Sequence, residues 1–432
     1  MYLDSETHVV NQTINLRKRG AAANSVYRRL ALVPGVILVT LLWLAGSASA
    51  RATECNRAMA NPLTHVMLPG SPFTALPSAD GCWLFVSLTQ PRPEVAVIAR
   101  ANGGLTLKRM VSLPGWPMGM VLTHDGKVLI VAEGANVVFL DVAQLTTGNN
   151  NAILGYWGIP NVRPGSIYVS VTADDRYVFV SNEAIGTISV IDLAQTRRSQ
   201  FAQVRVVGSI AAGTGPLGIA FSSDQRFLFA TVLTVQNMGW SNRCSPENSP
   251  SAAADHPEGA VVVVDMKRAT TDPARSVLRR VPAGCSPARI VVSHEAGRVY
   301  VTARGSNQLL TFTERELSGS RAGARGERMT VGQSPVGVAL VDQGREVVVA
   351  GSDRFHTGPA GSALYVVDAA GVGSGSTPVD SIPSQGFPRE IRATADGRTL
   401  LVTNFDGGSL QIVDLERALW ASGHGHHHRL HA

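Results

Sequence analysis

Short apolar runs separated by turn residues dominate the chain, and they recur in one order. A proline opens six of the seven units, an apolar run follows, Asp-Gly or a similar pair comes eight residues on, and a second apolar run closes the hairpin. Copies begin at Pro72, Pro117, Ser166, Pro216, Pro287, Pro335 and Pro388, and the eighth residue is Asp80, Asp125, Asp174, Asp224, Glu295, Gln343 and Asp396. Spacings of 45, 49, 50, 48 and 53 residues, with one of 71 across an insertion, signal a repeat architecture.

Each unit predicts four strands. Gly218-Ile219-Ala220-Phe221 typifies the first, and the Asp-Gly pair supplies the left-handed backbone of a tight turn. Tyr177 to Asn182 and Leu400 to Asn404 are second strands; Ile188 to Asp192, Val261 to Asp265 and Leu410 to Asp414 are third strands. Gln203 to Val207 and Arg279 to Val281 supply fourth strands. Strands apolar on both sides suit sheets sandwiched between neighbours, as propeller blades are. A lone strand, Thr64 to Leu68, precedes the first copy, and the last copy ends after its third strand. The N-terminal strand is therefore expected to complete the last blade and remove both sheet edges. The expected fold is all-β, a seven-bladed propeller of four-stranded antiparallel blades.

Val402-Thr403-Asn404 with Ile412-Val413-Asp414, and Val180-Ser181-Asn182 with Val190-Ile191-Asp192, resemble the YVTN-repeat β-propellers over roughly residues 62–416. The resemblance implies a seven-bladed ring and an extracytoplasmic location. Similar propellers include lactonase-like enzymes, surface-layer proteins and binding modules, so it implies no single activity.

On such a ring, loops from fourth to first strand and from second to third strand share one face, here called upper. The hairpin turns joining first and second strands lie on the lower face. Cys55 and Cys82 both fall on the lower side, and Cys244 and Cys285 on the upper, which predicts the pairs Cys55–Cys82 and Cys244–Cys285. Insertions at 234–259 and 352–362 enlarge the upper face.

The segment before the repeats reads as targeting. Arg17, Lys18, Arg19, Arg28 and Arg29 precede a hydrophobic stretch from Leu30 to Leu44, and Ala48-Ser49-Ala50 provides a cleavage site. An uncleaved anchor is the alternative, but Pro34 and Gly35 interrupt a run already short for a span of roughly 20 residues. The expected organisation is a signal peptide over 1–50, the propeller over 51–420 and a His-rich tail over 421–432, with a periplasmic or secreted location. Removing five basic and two acidic residues (Asp4, Glu6) lowers the formal charge from +6 to +3, which gives no electrostatic case for nucleic acid. Four cysteines, an even number, suit an oxidising compartment. No stable membrane span is expected after cleavage, and a monomer is expected.

Candidate chemistry comes from comparing the copies. The second residue after the repeat's proline reads Thr74, Gly119, Tyr168, Gly218, Arg289, Gly337 and Glu390. Glycine there suits close backbone approach; Tyr168, Arg289 and Glu390 depart from it. Arg389 replaces an otherwise mostly apolar neighbour, and Trp116 and Phe387 are bulky where other copies carry Gly or Ser. An upper mouth combining Arg289, Arg389 and Glu390 with Tyr168, Trp116 and Phe387 would bind a carboxylate through arginine forks against an aromatic wall. With Glu390 as acid or base the same residues would serve lactone hydrolysis or cyclisation. The plain alternative is a structural Arg289–Glu390 salt bridge at the channel rim.

Asn182, Asn404 and the strand-end aspartates Asp141, Asp192, Asp265, Asp368 and Asp414 recur in many blades and read as turn-capping residues. His65, His124, His256, His294 and His356 show no metal-ligand spacing, whereas His424, His426, His427 and His428 could chelate Zn, Cu or Ni from the tail. No Cys-x-x-Cys-His, Gly-x-Ser-x-Gly, P-loop or Rossmann fingerprint occurs, and no cofactor is expected. The favoured reading is a module binding a small molecule or protein at its upper face. A lactonase-like enzyme and a metal-handling protein are the alternatives.

Overall fold

A computed structural model describes Cys55 and residues 57–421, except 149–150, 160–161, 237, 241–242, 245–255, 320–323, 355–360 and 374. The proposed signal peptide and the tail histidines His424, His426, His427 and His428 lie outside the described residues, as does His356.

Seven four-stranded antiparallel sheets form the blades. Their inner strands are Pro72–Pro77, Met120–Leu122, Ser166–Val171, Thr214–Phe221, Pro287–Ser293, Pro335–Val341 and Pro388–Ala393. Sequence placed the fourth strand of blade 3 at 203–207, whereas it runs Arg205–Ala211, because the chain first makes the short helix Leu193–Arg198.

The strand Leu63–Met67 pairs with Ser409–Asp414 of blade 7, Val66 opposite Leu410, and so closes the ring. Arg417, on the helix that follows, donates to the carbonyls of Met59 at 2.7 Å and Ala60 at 2.9 Å, holding the incoming chain beside the outgoing one. The Cys55–Cys82 disulfide ties the same chain start to the first hairpin of blade 1, and Cys244–Cys285 joins the blade-4 insertion to the loop entering blade 5. Both predicted pairings are formed.

Strands rich in Val, Ile and Leu on both faces fill the wedges between blades. Phe179, Ile188 and Ile210 of blade 3, for instance, pack on Leu228, Val262 and Val264 of blade 4. The turns match the repeat's chemistry. In five blades a hydroxyl two residues before the aspartate donates to its carboxylate, from Ser78–Asp80 at 2.5 Å to Thr394–Asp396 at 2.8 Å. The next residue is left-handed: Gly81, Gly126 and Gly397, but also Asp175 (φ 53°) and Gln225 (φ 58°).

The hydroxyl of the Val-Thr-Asn motif joins neighbouring blades. Thr403 accepts from the Glu390 N–H at 3.2 Å and donates to the Phe73 carbonyl of blade 1 at 3.0 Å. Ser87, Thr231 and Thr302 make the same two-way bridge toward Met118, Ala288 and Val336. Asp141, Asp192 and Asp265 cap short helices, and Asn182 and Asn404 bond neighbouring hydroxyls, so these residues are structural.

Candidate functional site

Each inner strand enters the channel from the upper face, so the residue after its proline sits high in the channel. These positions carry Phe73, Ile167, Leu217, Ala288 and Val336, which are buried together with Tyr168 and Phe387, Met118 packing alongside. They form an apolar plug across the upper channel. Blade 7 contributes Arg389 at this level instead.

Below it the second residue alternates in size around the ring. A Cβ on Gly119 would lie 2.5 Å from the Tyr168 ring and 2.6 Å from the Ile167 carbonyl; one on Gly218 would lie 3.1 Å from Arg289 Cα. Each glycine therefore lets the next blade's large side chain occupy the channel. Tyr168, Arg289 and Glu390 meet there. Arg289 Nε donates to Glu390 Oε2 at 2.8 Å, while its Nη2 donates to both that oxygen and the Tyr168 hydroxyl. Arg289 lies 3.5 Å over the Tyr168 ring. The structural Arg289–Glu390 salt bridge offered as the plain alternative is formed, and with Tyr168 it is buried rather than exposed. Burial opposes the charge on Arg289, yet Glu390 and Tyr168 outweigh it and hold its pKa above the ordinary guanidinium value. Burial raises the Tyr168 phenol in turn.

Arg389 is built differently. Its guanidinium carbon lies 3.8 Å from the Phe73 ring centre, 5.4 Å from Phe405 and 5.5 Å from Phe387. Its Nε is buried without a hydrogen-bond partner, and no carboxylate pairs with it among the described residues. Burial, then the positive charges of Arg289, Arg354 and Arg304 acting against the influence of Tyr168, hold its pKa below the usual value. Phe387 helps to frame it from a left-handed backbone at φ 56°, the conformation that the same position takes in blades 3 to 6 at Gly165, Gly215, Ser286 and Ser334.

Trp116 stands apart: its side chain is exposed and outside the plug. Two groups escaped sequence reasoning, one in the channel and one at the end of a second strand. Arg392 lies two residues beyond Glu390 and meets its other oxygen, Nε to Oε1, at 3.4 Å. Comparing the fourth residue after each proline would have found it, since other copies carry Leu76, Val121, Ser170, Ala220, Val291 and Ala339. Glu133 takes the place that Asn182 and Asn404 occupy in their blades. It is buried and its carboxyl oxygens accept no hydrogen bond of ordinary geometry. Burial pushes its pKa up to about 8, against a small opposing influence of the Gly115 N–H.

No three of His, Cys, Asp or Glu gather as a metal site among the described residues. His124 instead bonds Asp175 at 2.8 Å, and His294 meets Ser223 at 3.2 Å. No described helix is long and apolar enough to cross a membrane.

No family model matches the sequence, and no curated protein sequence does. Solved structures are similar in fold. Kuenenia stuttgartiensis hydrazine synthase matches at 16% identity and TM-score 0.59 over 81% of this chain and 97% of that one. A chain of the mitotic checkpoint complex matches at 14% and 0.59, over 83% and 95%. The Cps50 (Swd1) propeller domain from Myceliophteria thermophila matches at 10% and 0.56, over 81% and 99%. At these identities the likeness shows the seven-bladed propeller fold, and function rests on the site.

Proposed function

We propose that this chain is an exported, YVTN-type propeller that binds a small anionic ligand at its upper mouth, with residues 1–50 removed as a signal peptide. Arg389 carries the reading: a half-buried guanidinium stacked on Phe73, with a buried donor unfilled and no carboxylate of its own among the described residues. A carboxylate or phosphate would complete it, because a planar guanidinium offers a fork matched to such groups. Phe387 supports the same site as part of its aromatic wall, with its ring centre 5.5 Å from the Arg389 guanidinium carbon. Binding is favoured over lactone hydrolysis because Glu390, the candidate acid or base, already serves Arg289 and Arg392.

The test is a thermal-shift screen of residues 51–432 against mono-, di- and tricarboxylates, sugar phosphates and muconate-type lactones, repeated with Arg389→Ala. An anion that raises Tm in the wild type and binds the folded variant at least about tenfold more weakly is expected, about 1.4 kcal/mol or more. Anion binding that survives in the variant, or no stabilisation by any anion, would overturn the reading. Lactone turnover abolished in the variant would replace it with catalysis.

A further inference from the structure

The upper mouth holds more positive charge than Arg389 alone. Arg354 lies near the start of the blade-6 insertion, with its guanidinium carbon 5.6 Å from the Phe387 ring centre. That of Arg389 lies 5.5 Å from the same centre, so the two cations stand at most about 11 Å apart around one ring. Arg304, on the blade-5 loop between second and third strands, is the third cation of this sector.

These arginines act on one another. After burial, the influences opposing the charge on Arg389 are Arg289, Arg354 and Arg304. Glu390 answers Arg289 directly. The corresponding loops of blades 5, 6 and 7 carry two carboxylates, the buried Asp353 and the exposed Asp406. Three arginines against those two leave a positive surplus, whichever of them pair. A ligand with one negative charge answers Arg389 and leaves the repulsion from its neighbours in place. A second negative group beside Arg354 offsets that repulsion as well, and Arg354 is exposed, so a group arriving from solvent reaches it.

We propose that the upper mouth selects dicarboxylates, with one carboxylate on Arg389 and the other on Arg354. The assignment rests on the anion-binding reading of Arg389 and adds a specificity-determining residue to it. It also gives the blade-6 insertion a role, since that loop carries the second guanidinium to the mouth.

Succinate, glutarate and adipate are compared with their monomethyl esters, which keep the carbon chain and lose one charge. Inorganic phosphate, whose charge sits on one centre, separates two-centre binding from a general attraction for anions. Binding to residues 51–432, which hold the whole closed ring, is read by calorimetry for wild type, Arg354→Gln and Arg389→Ala. At least one diacid is expected to bind the wild type about fivefold or more tightly than both its ester and phosphate. Arg354→Gln should bring that diacid to the level of its ester while the ester changes by less than about twofold. Arg389→Ala should weaken both. Diacids no tighter than their esters, or phosphate as tight as the best diacid, would overturn the proposal and leave the Arg389 site standing. So would an Arg354→Gln protein that keeps the preference or loses diacid and ester alike. Absence of binding by every anion, or binding unchanged in Arg389→Ala, would instead remove the Arg389 reading and this proposal with it. Should Arg354→Gln fail to fold, the diacid and ester comparison on the wild type decides.

Discussion

The two ends of one channel use the same residue types to opposite effect. At the upper end, Tyr168, Arg289 and Glu390 are buried in mutual hydrogen bonds under a plug of Phe73, Leu217 and Val336. Lower down, Arg392, from the same strand as Glu390, keeps 42% of its side chain exposed beside a cavity that also meets His124, Gln225 and His294. A buried arginine paired with a carboxylate organises structure, whereas one short of partners retains binding capacity. What separates them is partnering: Gly218 and Gly337 admit the backbone of the next inner strand around Arg289 and Glu390, which bond each other closely, whereas Arg392 meets the second Glu390 oxygen at 3.4 Å.

The sharpest way to break this comparison is to remove Glu390. Glu390→Ala strands Arg289 as a buried, unpaired charge and is expected to cost about 3–5 kcal/mol. Arg392→Gln removes only a half-exposed partner and should cost under about 1 kcal/mol. Urea denaturation of both variants checks this; equal losses would mean that the two arginines do the same work.

The disulfides contrast the two faces in the same way. Cys55→Ser with Cys82→Ser opens the link beside the ring closure and should lower global stability by about 3 kcal/mol. Cys244→Ser with Cys285→Ser frees an upper-face insertion, and its main expected result is faster proteolysis within residues 234–259 at a smaller loss of Tm. Limited proteolysis and calorimetry distinguish the two.

Glu133 makes the contrast depend on pH. Its folded pKa of about 8 stands above its ordinary value of 4.5, so the folded protein holds the proton more tightly than the unfolded chain. That contribution is complete below pH 4.5 and is lost as pH rises through 8. Between pH 6 and 7 the wild type should lose up to about 1.4 kcal/mol relative to Glu133→Gln, whose amide does not titrate. Parallel stability curves for the two proteins would show that the Glu133 carboxyl is ionised in the fold.

Much of this was legible along the chain. The Pro-to-Asp spacing located the inner hairpins, and the lone N-terminal strand announced the ring closure. The cysteine pairing followed from which face each loop must occupy. The departures at Tyr168, Arg289, Arg389 and Glu390 stood out against the other copies, and the structure brings these four together with Phe387. Trp116 departed equally and lies elsewhere, because difference from a repeat reports a changed environment without saying where the side chain goes. Arg392 and Glu133 went unremarked, one within an inner strand and the other where an asparagine recurs.

The sequence by itself determined the architecture, since turn chemistry and two-sided apolar strands are local patterns that repetition makes unmistakable. Only the tertiary structure decided which charged groups cancel and which stay available. Arg289 and Glu390 are 101 residues apart, and whether they meet, and whether water reaches them, depends on ring curvature and on the glycines of neighbouring blades. Burial and pairing are properties of the assembled ring, and no single repeat contains them.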